Sequence, residues 1–127
     1  MEMLDLMKQR HSVRQYTDRP IEVEKRNALN SMIAQINQKA DLHIQPFYEE
    51  PQCFDSTMAH YGKFTGVKDY ISLVGKRSPK LEETLGYYGE QLVLKAQELG
   101  LNTCWVALTH GKSKAETAKG EKLVCLI

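Results

Sequence analysis

Hydrophobic residues recur at helical spacing in two parts of the first third of the chain. Near the N-terminus, Met3, Leu6 and Met7 occupy positions i, i+3 and i+4, which predicts a short first helix. Between Pro20 and Leu42 the apolar residues keep the same period over several turns, which predicts a long second helix. Those residues are Leu29, Met32, Ile33, Ile36 and Ala40.

The longest predicted helix covers residues 79–99 and begins at a serine–proline pair, a typical start signal. Apolar residues keep a period near 3.6 along it, and Gly100 is suited to end it in a left-handed conformation. Gly86 and Gly89 interrupt this helix at a cost of about 1 kcal/mol each against alanine. Close approach of another backbone or a ring would explain both glycines. We therefore expect this helix at the centre of the fold.

Three stretches have strand character. Residues 42–45 alternate apolar and polar side chains, residues 70–75 are apolar on both faces, and residues 122–127 form a final strand. Residues 46–68 are polar and rich in turn formers, which predicts an excursion over the surface. A short helix is expected at residues 113–118. The pattern predicts an α+β sandwich, with helices around a mixed, mainly antiparallel sheet.

The segment Arg10-His11-Ser12-Val13-Arg14 lies between the first two helices. A proline at position 20 disfavours helix just before it, so a short extended link is expected here. Because side chains alternate in an extended chain, Arg10, Ser12 and Arg14 should point the same way. Two guanidinium groups and a hydroxyl on one face suit a phosphate or a polarised carbonyl edge. Spacing alone favours the alternative, a solvated basic turn.

Composition narrows the possible classes of function. The chain has 127 residues, a net charge of +1 and a pI near 7.7, so we expect one domain, residues 1–127, and no nucleic-acid partner. No apolar run is long enough for a membrane span, and the N-terminus has no apolar signal core. Three cysteines without metal-binding spacing fit free thiols in a reducing cytoplasm. The four histidines form no ligand pair, so no metal site is predicted.

The basic segment resembles the opening of the nitroreductase family of flavoenzymes, in which an Arg-Arg/His-Ser-x-Arg/Lys box follows the first helix. The resemblance continues through Gln15-Tyr16-Thr17-Asp18-Arg19-Pro20-Ile21. A second block is similar to the family's core helix and the loop behind it, especially in the TM-type branch with a Gly-x-x-Thr-Cys-Trp motif. This block comprises Leu85-Gly86-Tyr87-Tyr88-Gly89, residues 92–96 and residues 99–105. The family's Asn-x-Gln-Pro-Trp flavin segment is absent, and Ile44-Gln45-Pro46-Phe47 is at most a remnant of it.

The resemblance implies an FMN-dependent oxidoreductase that takes hydride from NAD(P)H and passes it to a nitroaromatic, a quinone or a similar acceptor. It implies that Arg10 and Ser12 bind the phosphate or ribityl end of FMN. Arg14 would lie near the N1/O2 edge of the flavin, where reduction adds negative charge. His11 would contact the ribityl chain or O2, although strict alternation aims it at the opposite face. No side-chain acid or base is required at flavin N5, so no further catalytic residue is predicted.

A second set of implied cofactor contacts lies in the apolar stretch after Thr103. Without the resemblance this stretch is simply a buried strand, and Trp105 is equally well explained as a core anchor. The Ala107 N–H would lie near flavin N5, the hydride-accepting atom. The implied contacts in this stretch are Trp105, Val106, Ala107 and Leu108.

The resemblance also implies a homodimer, or a single-chain pseudo-dimer in a longer form. Family members are longer than this chain and carry further Lys/Arg residues for the flavin phosphate, so we expect either a fragment or a shortened relative. The first alternative function is a non-catalytic or degenerate flavin- or nucleotide-binding module. A second is contact with RNA or an acidic partner through basic residues near the N-terminus, which the near-neutral charge disfavours. Those residues are Lys8, Arg10, Arg14 and Arg19.

Overall fold

The computed structural model of the protein describes residues 2–56, 61–107 and 110–127. Within these ranges the chain forms three α-helices, three β-strands and one 3₁₀ turn. This is the α+β architecture that the sequence predicts. None of the described helices is long and apolar enough to cross a membrane. The elements are, in order, α1 (Met3–Gln9), α2 (Val23–Ala40), β1 (Gln45–Phe47), the 3₁₀ turn (Gln52–Phe54), β2 (Tyr70–Lys76), α3 (Leu81–Glu98) and β3 (Glu121–Leu126).

β2 is the central strand of a three-stranded sheet with the order β1-β2-β3. It pairs antiparallel with both neighbours, and its register with β3 shifts between Leu73 and Val74. Three consecutive β2 residues, 72–74, are fully buried, so both faces of the strand are covered, as its apolar run predicts. Pro46 is accommodated because β1 lies at the edge of the sheet, where a missing N–H removes no interior ladder bond.

α2 and α3 contact each other, and both contribute side chains to the larger hydrophobic cluster. α2 contributes Ile33 and Ile36, which belong to the periodic set that predicted the helix. α3 contributes Leu85, Leu92 and Val93, each at most 1% exposed. Both helices are confirmed, and the periodic apolar positions are the ones that the core buries.

α3 begins slightly later and ends where the sequence predicts. Its first residue is Leu81, because residues 78–80 form a turn in which the Leu81 N–H donates to the Ser78 carbonyl at 3.2 Å. At the other end Gly100 is left-handed, with φ 81°. The Leu101 N–H reaches back to Ala96 at 2.8 Å and the Gly100 N–H to Gln97 at 3.0 Å, the hydrogen bonds of a Schellman stop.

The two glycines inside α3 have different surroundings. A Cβ placed on Gly89 would lie 2.5 Å from the Trp105 ring and 3.1 Å from Leu73, so only glycine admits the ring there. The predicted close approach of a ring is confirmed at this position. A Cβ on Gly86 would meet nothing within 4 Å, and nothing in the described chain explains that glycine.

The strand predicted at residues 42–45 is interrupted. Leu42 forms an isolated antiparallel bridge with Gly75 of β2, but the continuous strand β1 starts only at Gln45. The reason is the Asn37 side chain of α2. Its amide accepts from the Ile44 N–H at 2.8 Å and donates to the Ile44 carbonyl at 2.9 Å. Both backbone groups of Ile44 are therefore used by a side chain and cannot join the sheet ladder.

The described parts of the stretch 46–68, residues 46–56 and 61–68, are not a mere surface excursion, and that prediction is wrong. Cys53, Phe54 and Phe64 are each at most 7% exposed. The Phe54 and Phe64 rings meet edge to face, with 5.1 Å between their centroids. The polar loop residues around them conceal these few buried side chains in the sequence pattern. The three buried loop side chains belong to a second hydrophobic cluster, whose members are Cys53, Phe54, Phe64, Tyr70, Cys104, Val106 and Leu126.

The prediction of a short helix at residues 113–118 is also wrong, because this segment is irregular. Its backbone amides donate to side chains rather than to the preceding turn. The Ala115 N–H donates to Ser113 Oγ at 3.1 Å, and the Glu116 N–H donates to Gln45 Oε1 at 2.8 Å. The Ala118 N–H donates to Glu121 Oε1 at 2.7 Å. The helix lacks the donors that it would need.

Hydrogen exchange should identify the middle of α3 as the most stable part of the protein. We expect the amides of residues 85–94 to exchange most slowly, because this stretch has the deepest burial of any helix described. Amides of α1 (Met3–Gln9) provide the internal comparison and should exchange fast, since only Leu6 is buried there. Fast exchange across residues 85–94 would remove α3 from the core.

Candidate functional site

The extended link between α1 and α2 runs alongside the chain that follows α3. Ser12 and Thr103 form a parallel β-bridge, and the Val13 N–H donates to the Thr103 carbonyl at 3.0 Å. A second parallel bridge joins Gln15 to Thr65. The basic segment is therefore extended, as its sequence predicts. It lies directly beside the stretch that contains the second set of predicted contacts.

Arg10 is half-buried and anchored to that stretch. Its Nε lies 3.4 Å from Thr103 Oγ1, and one terminal nitrogen lies 3.4 Å from the Thr103 carbonyl oxygen. Both partners are neutral, so these long hydrogen bonds orient the guanidinium without neutralising its charge. The positive charge of Arg10 remains available to an anion.

Ser12 and Arg14 are exposed on the same link. In the part of the chain that the structure describes, neither Arg10 nor Arg14 forms an ion pair, whereas Arg19 is held by Glu22 at 2.7 Å. The Arg14 carbonyl accepts from the Thr65 N–H at 2.9 Å, which fixes the backbone beneath the side chain. Two uncompensated guanidinium groups and a hydroxyl thus lie within five residues of well-anchored backbone. This donor set suits a phosphate.

His11 does not join this group through its ring nitrogens. The side chain is exposed, and its Nδ1 lies 3.1 Å from the Gln9 carbonyl at the end of α1. The ring therefore interacts with the helix end. Its predicted role as a cofactor contact stays a prediction.

Tyr16 is a member of the site that the predicted set leaves out. Its hydroxyl donates to the Val13 carbonyl in a short hydrogen bond. Burial raises the pKa of Tyr16 to about 12, and Cys104 acts in the same direction, while Arg10 and Arg14 act against it. The hydroxyl therefore stays protonated at neutral pH and braces the link. Alternation from Arg14 to Tyr16 is the sequence signal that could have identified it.

Trp105 is positioned as a core anchor. Its Nε1–H donates to Glu90 Oε1 on α3 at 3.0 Å, and its ring fills the space over Gly89. Buried Val106 exchanges two hydrogen bonds of 2.8 Å with Leu126 of β3. The stretch after Thr103 is thus held between α3 and β3 by single bridges, not by a strand of its own. Contact of Trp105 or Val106 with a cofactor stays a prediction.

The remaining downstream contacts are less defined. Ala107 is exposed at the point where the described stretch ends. Leu108 lies outside the described residues. The structure therefore brings Arg10, Ser12 and Thr103 together, while the expected contact of Ala107 with the cofactor rests on the resemblance.

A cleft of about 660 Å³ lies beside the link, on the side of Tyr16 and Thr103. Phe54, Phe64 and Val106 form part of its apolar wall. The charged residues at its rim include pairs, such as Lys68 with Asp18 at 3.4 Å. Arg10, Ser12 and Arg14 do not line it, so the cleft and the predicted phosphate contacts are neighbouring but separate features.

The fold and the site define an α+β protein in which a basic link lies beside the chain that leaves a buried central helix. Within the described residues, Arg10 and Arg14 of this link form no ion pair. Residues 2–127 match the family described as "Putative TM nitroreductase". The chain belongs to this nitroreductase family and is an oxidoreductase enzyme of that type. The match covers almost the whole chain, including the middle, which the two sequence blocks left unassigned.

Solved structures share the fold. The chain is similar to an FMN-dependent nitroreductase from Clostridium difficile R20291, with a TM-score of 0.75, 16% identity, and coverage of 98% of this chain and 84% of the other. It is also similar to the "Putative NADH Oxidase" of Clostridium acetobutylicum, with a TM-score of 0.72, 19% identity, and coverage of 96% and 84%. No curated protein matches the sequence.

Proposed function

We propose that the protein is an FMN-dependent oxidoreductase that takes hydride from NAD(P)H and passes it to a nitroaromatic, a quinone or a similar acceptor. The observation that carries this proposal is the pairing of the basic link with Thr103. It joins the two sequence blocks of the nitroreductase resemblance, about ninety residues apart, into one surface. The Clostridium difficile neighbour is FMN-dependent, and the Clostridium acetobutylicum neighbour bears the name of an NADH oxidase, which supports the cofactor and the donor.

The residues present fit FMN. Arg10 and Ser12 would hold the phosphate or ribityl end, because neither side chain donates a hydrogen bond to an acidic group of the described chain. Arg14 would provide positive charge at the edge of the ring, and Ala107 would offer its backbone. When bound, FMN supplies the hydride chemistry, and the protein supplies binding, orientation and electrostatics.

We propose a single nitroreductase-like domain over residues 1–127 and a cytoplasmic enzyme. The single domain is supported by the sheet, because β2 and β3 contribute side chains to both hydrophobic clusters. The compartment is supported by three free thiols, Cys53, Cys104 and Cys125. One cooperative unfolding transition would be expected, and two separated transitions would contradict the single domain.

Anaerobic titration with NADH and NADPH tests the function directly. We expect the protein reconstituted with FMN to show flavin absorption in the visible range and to lose it when either donor is added. Reoxidation by a quinone or a nitroaromatic should then restore the colour. Free FMN under the same conditions is the control. A protein that binds FMN but is not bleached would be the non-catalytic module, and RNA binding that weakens steeply with salt would indicate the RNA-binding alternative.

We further propose a homodimer as the functional unit. The short α1 leaves three large apolar side chains in solvent, Met3, Leu4 and Met7, which are 52%, 66% and 54% exposed. On one seven-residue helix, this is a patch that a second copy would cover.

Sedimentation velocity checks the dimer. Wild type should sediment as a dimer, and Leu4→Glu should shift the population toward monomer because it places a charge in the proposed interface. Val23→Glu, a change at another exposed apolar residue (67% exposed) outside α1, serves as the matched control. A stable wild-type monomer with full flavin occupancy would contradict the proposal.

A further inference from the structure

Thr103 contacts the basic link through its carbonyl group and through its hydroxyl. The carbonyl oxygen accepts from the Val13 N–H at 3.0 Å and lies 3.4 Å from Nη2 of Arg10. The hydroxyl oxygen, Oγ1, lies 3.4 Å from Nε of the same guanidinium. One residue of the chain after α3 therefore holds both the backbone of the link and one of its basic side chains.

The two contacts with Arg10 use one edge of its guanidinium. In this planar group the Nε–H and one Nη2 N–H point in the same direction, and the two Thr103 oxygens accept from them together. Of the five N–H donors of an arginine side chain, these contacts leave one on Nη2 and both on Nη1. The outer edge, with one N–H from each terminal nitrogen, is the arrangement that binds two oxygens of a phosphate.

The position of Thr103 is itself fixed from both sides. Upstream, the Leu101 N–H donates to the Ala96 carbonyl of α3 at 2.8 Å. Downstream, the Trp105 Nε1–H donates to Glu90 of the same helix at 3.0 Å. The hydroxyl and the carbonyl of Thr103 therefore meet the guanidinium from a backbone that the central helix supports.

Arg10 keeps its charge at this position. Its N–H donates to the Leu6 carbonyl at 3.0 Å, so its backbone is held at the end of α1. Both Thr103 oxygens are neutral, and within the described residues no acidic side chain pairs with Arg10. Tyr16 is not an anion either, because burial raises the pKa of its hydroxyl to about 12. The described chain therefore offers an oriented guanidinium whose outer edge can bind an anion.

We propose that Thr103 is a positioning residue for Arg10 and makes flavin binding depend on the phosphate of FMN. It holds one edge of the guanidinium and leaves the outer edge for the phosphate, without touching the ligand itself. The inference rests on the proposed function. A mobile arginine loses rotamer freedom when it binds an anion, so an arginine that is already oriented binds more tightly.

Affinities for FMN and riboflavin test this role, because riboflavin is the same flavin without the phosphate. Thr103→Val removes the hydroxyl and keeps the shape of the side chain and the backbone carbonyl. The FMN dissociation constant should rise about fivefold, the effect of one hydrogen bond, and that of riboflavin should not change. Thr103→Ser keeps the hydroxyl and should retain the wild-type affinity for FMN. Thr103→Ala replaces the valine variant if the latter does not fold.

Arg10→Ala identifies the side chain through which Thr103 acts. It should weaken FMN binding more than Thr103→Val does and leave riboflavin binding unchanged. Adding Thr103→Val to Arg10→Ala should weaken FMN binding no further, because the group that the hydroxyl holds is then absent. Thr65→Val is the matched control. The Thr65 N–H also holds the link, at the Arg14 carbonyl at 2.9 Å, but its side chain is exposed, so this variant should bind both flavins like wild type.

The outcomes separate the two proposals. Thr103→Val that binds FMN as tightly as wild type overturns the positioning role and leaves the proposed function intact. Equal weakening of FMN and riboflavin, or additive losses in the double variant, overturns it as well, because Thr103 would then only support the fold. Wild type that binds the two flavins equally overturns the phosphate dependence alone. Wild type that takes up no FMN overturns the proposed function together with it. Faster exchange of the Arg10 Nε–H with water in Thr103→Val would then show only a structural contact.

Discussion

Arg14→Ala should slow NADH-driven flavin reduction by about tenfold to a hundredfold, the loss expected for one charge-assisted hydrogen bond. The reason is that Arg14 is exposed and forms no ion pair within the described ranges, so its charge is available to the flavin edge. For the same reason its removal breaks no described ion pair. Stopped-flow reduction and a melting curve measure the two effects, and only the first should change.

Arg19→Ala is the matched control for this experiment. It removes the same charge from the same link, but its guanidinium is already paired with Glu22 at 2.7 Å. The variant should therefore reduce flavin at nearly the wild-type rate. Arg14→Lys should lie between wild type and alanine, because an ammonium group keeps the charge without the planar fork. A wild-type rate in Arg14→Ala would show that the assigned role is wrong.

Gly89→Ala should destabilise the protein, although alanine is the better helix former. The added Cβ would lie 2.5 Å from the Trp105 ring, which the hydrogen bond to Glu90 holds in place. Overpacking of this kind costs about 1–3 kcal/mol. The gain in helix propensity recovers about 1 kcal/mol of that at most. Chemical denaturation should therefore show a lower free energy of unfolding, and the fluorescence of the single tryptophan should report its displacement.

Gly86→Ala is the control, and it should have the opposite sign. It lies in the same helix, three residues away, and its added Cβ would meet nothing within 4 Å. Only the propensity gain remains, so the free energy of unfolding should rise by up to about 1 kcal/mol. Equal effects of the two substitutions would mean that the Trp105 ring does not set the requirement for glycine at position 89.

The predictions for Arg14 and Gly89 concern one set of contacts, which connects α3 to the basic link. Trp105 fixes the chain after Thr103 to α3, and Thr103 in turn fixes the basic link through Val13. The central helix is therefore the rigid support on which both halves of the proposed cofactor site rest. Sites built in this way depend on packing as much as on the residues that touch the ligand.

Much of this structure follows from local pattern. α2 and α3 were predictable because their apolar residues keep the helical period. β2 was predictable because a short apolar run between turn-forming residues is typical of a buried strand. The extended form of the basic link followed from the restriction before Pro20. The family resemblance predicted the residue types of the candidate site, and the family match covers residues 2–127.

What the pattern could not decide depends on partners distant in sequence. Ile44 leaves the sheet because Asn37 takes both of its backbone groups, and residues 113–118 are not helical because their amides donate to side chains. The burial of Phe54 and Phe64, and the hydrogen bond that the buried Tyr70 hydroxyl donates to Glu50, likewise exist only once the sheet has formed. Periodicity records which face of an element is apolar. It does not record where a polar backbone group finds its partner, and that choice is made by the tertiary fold.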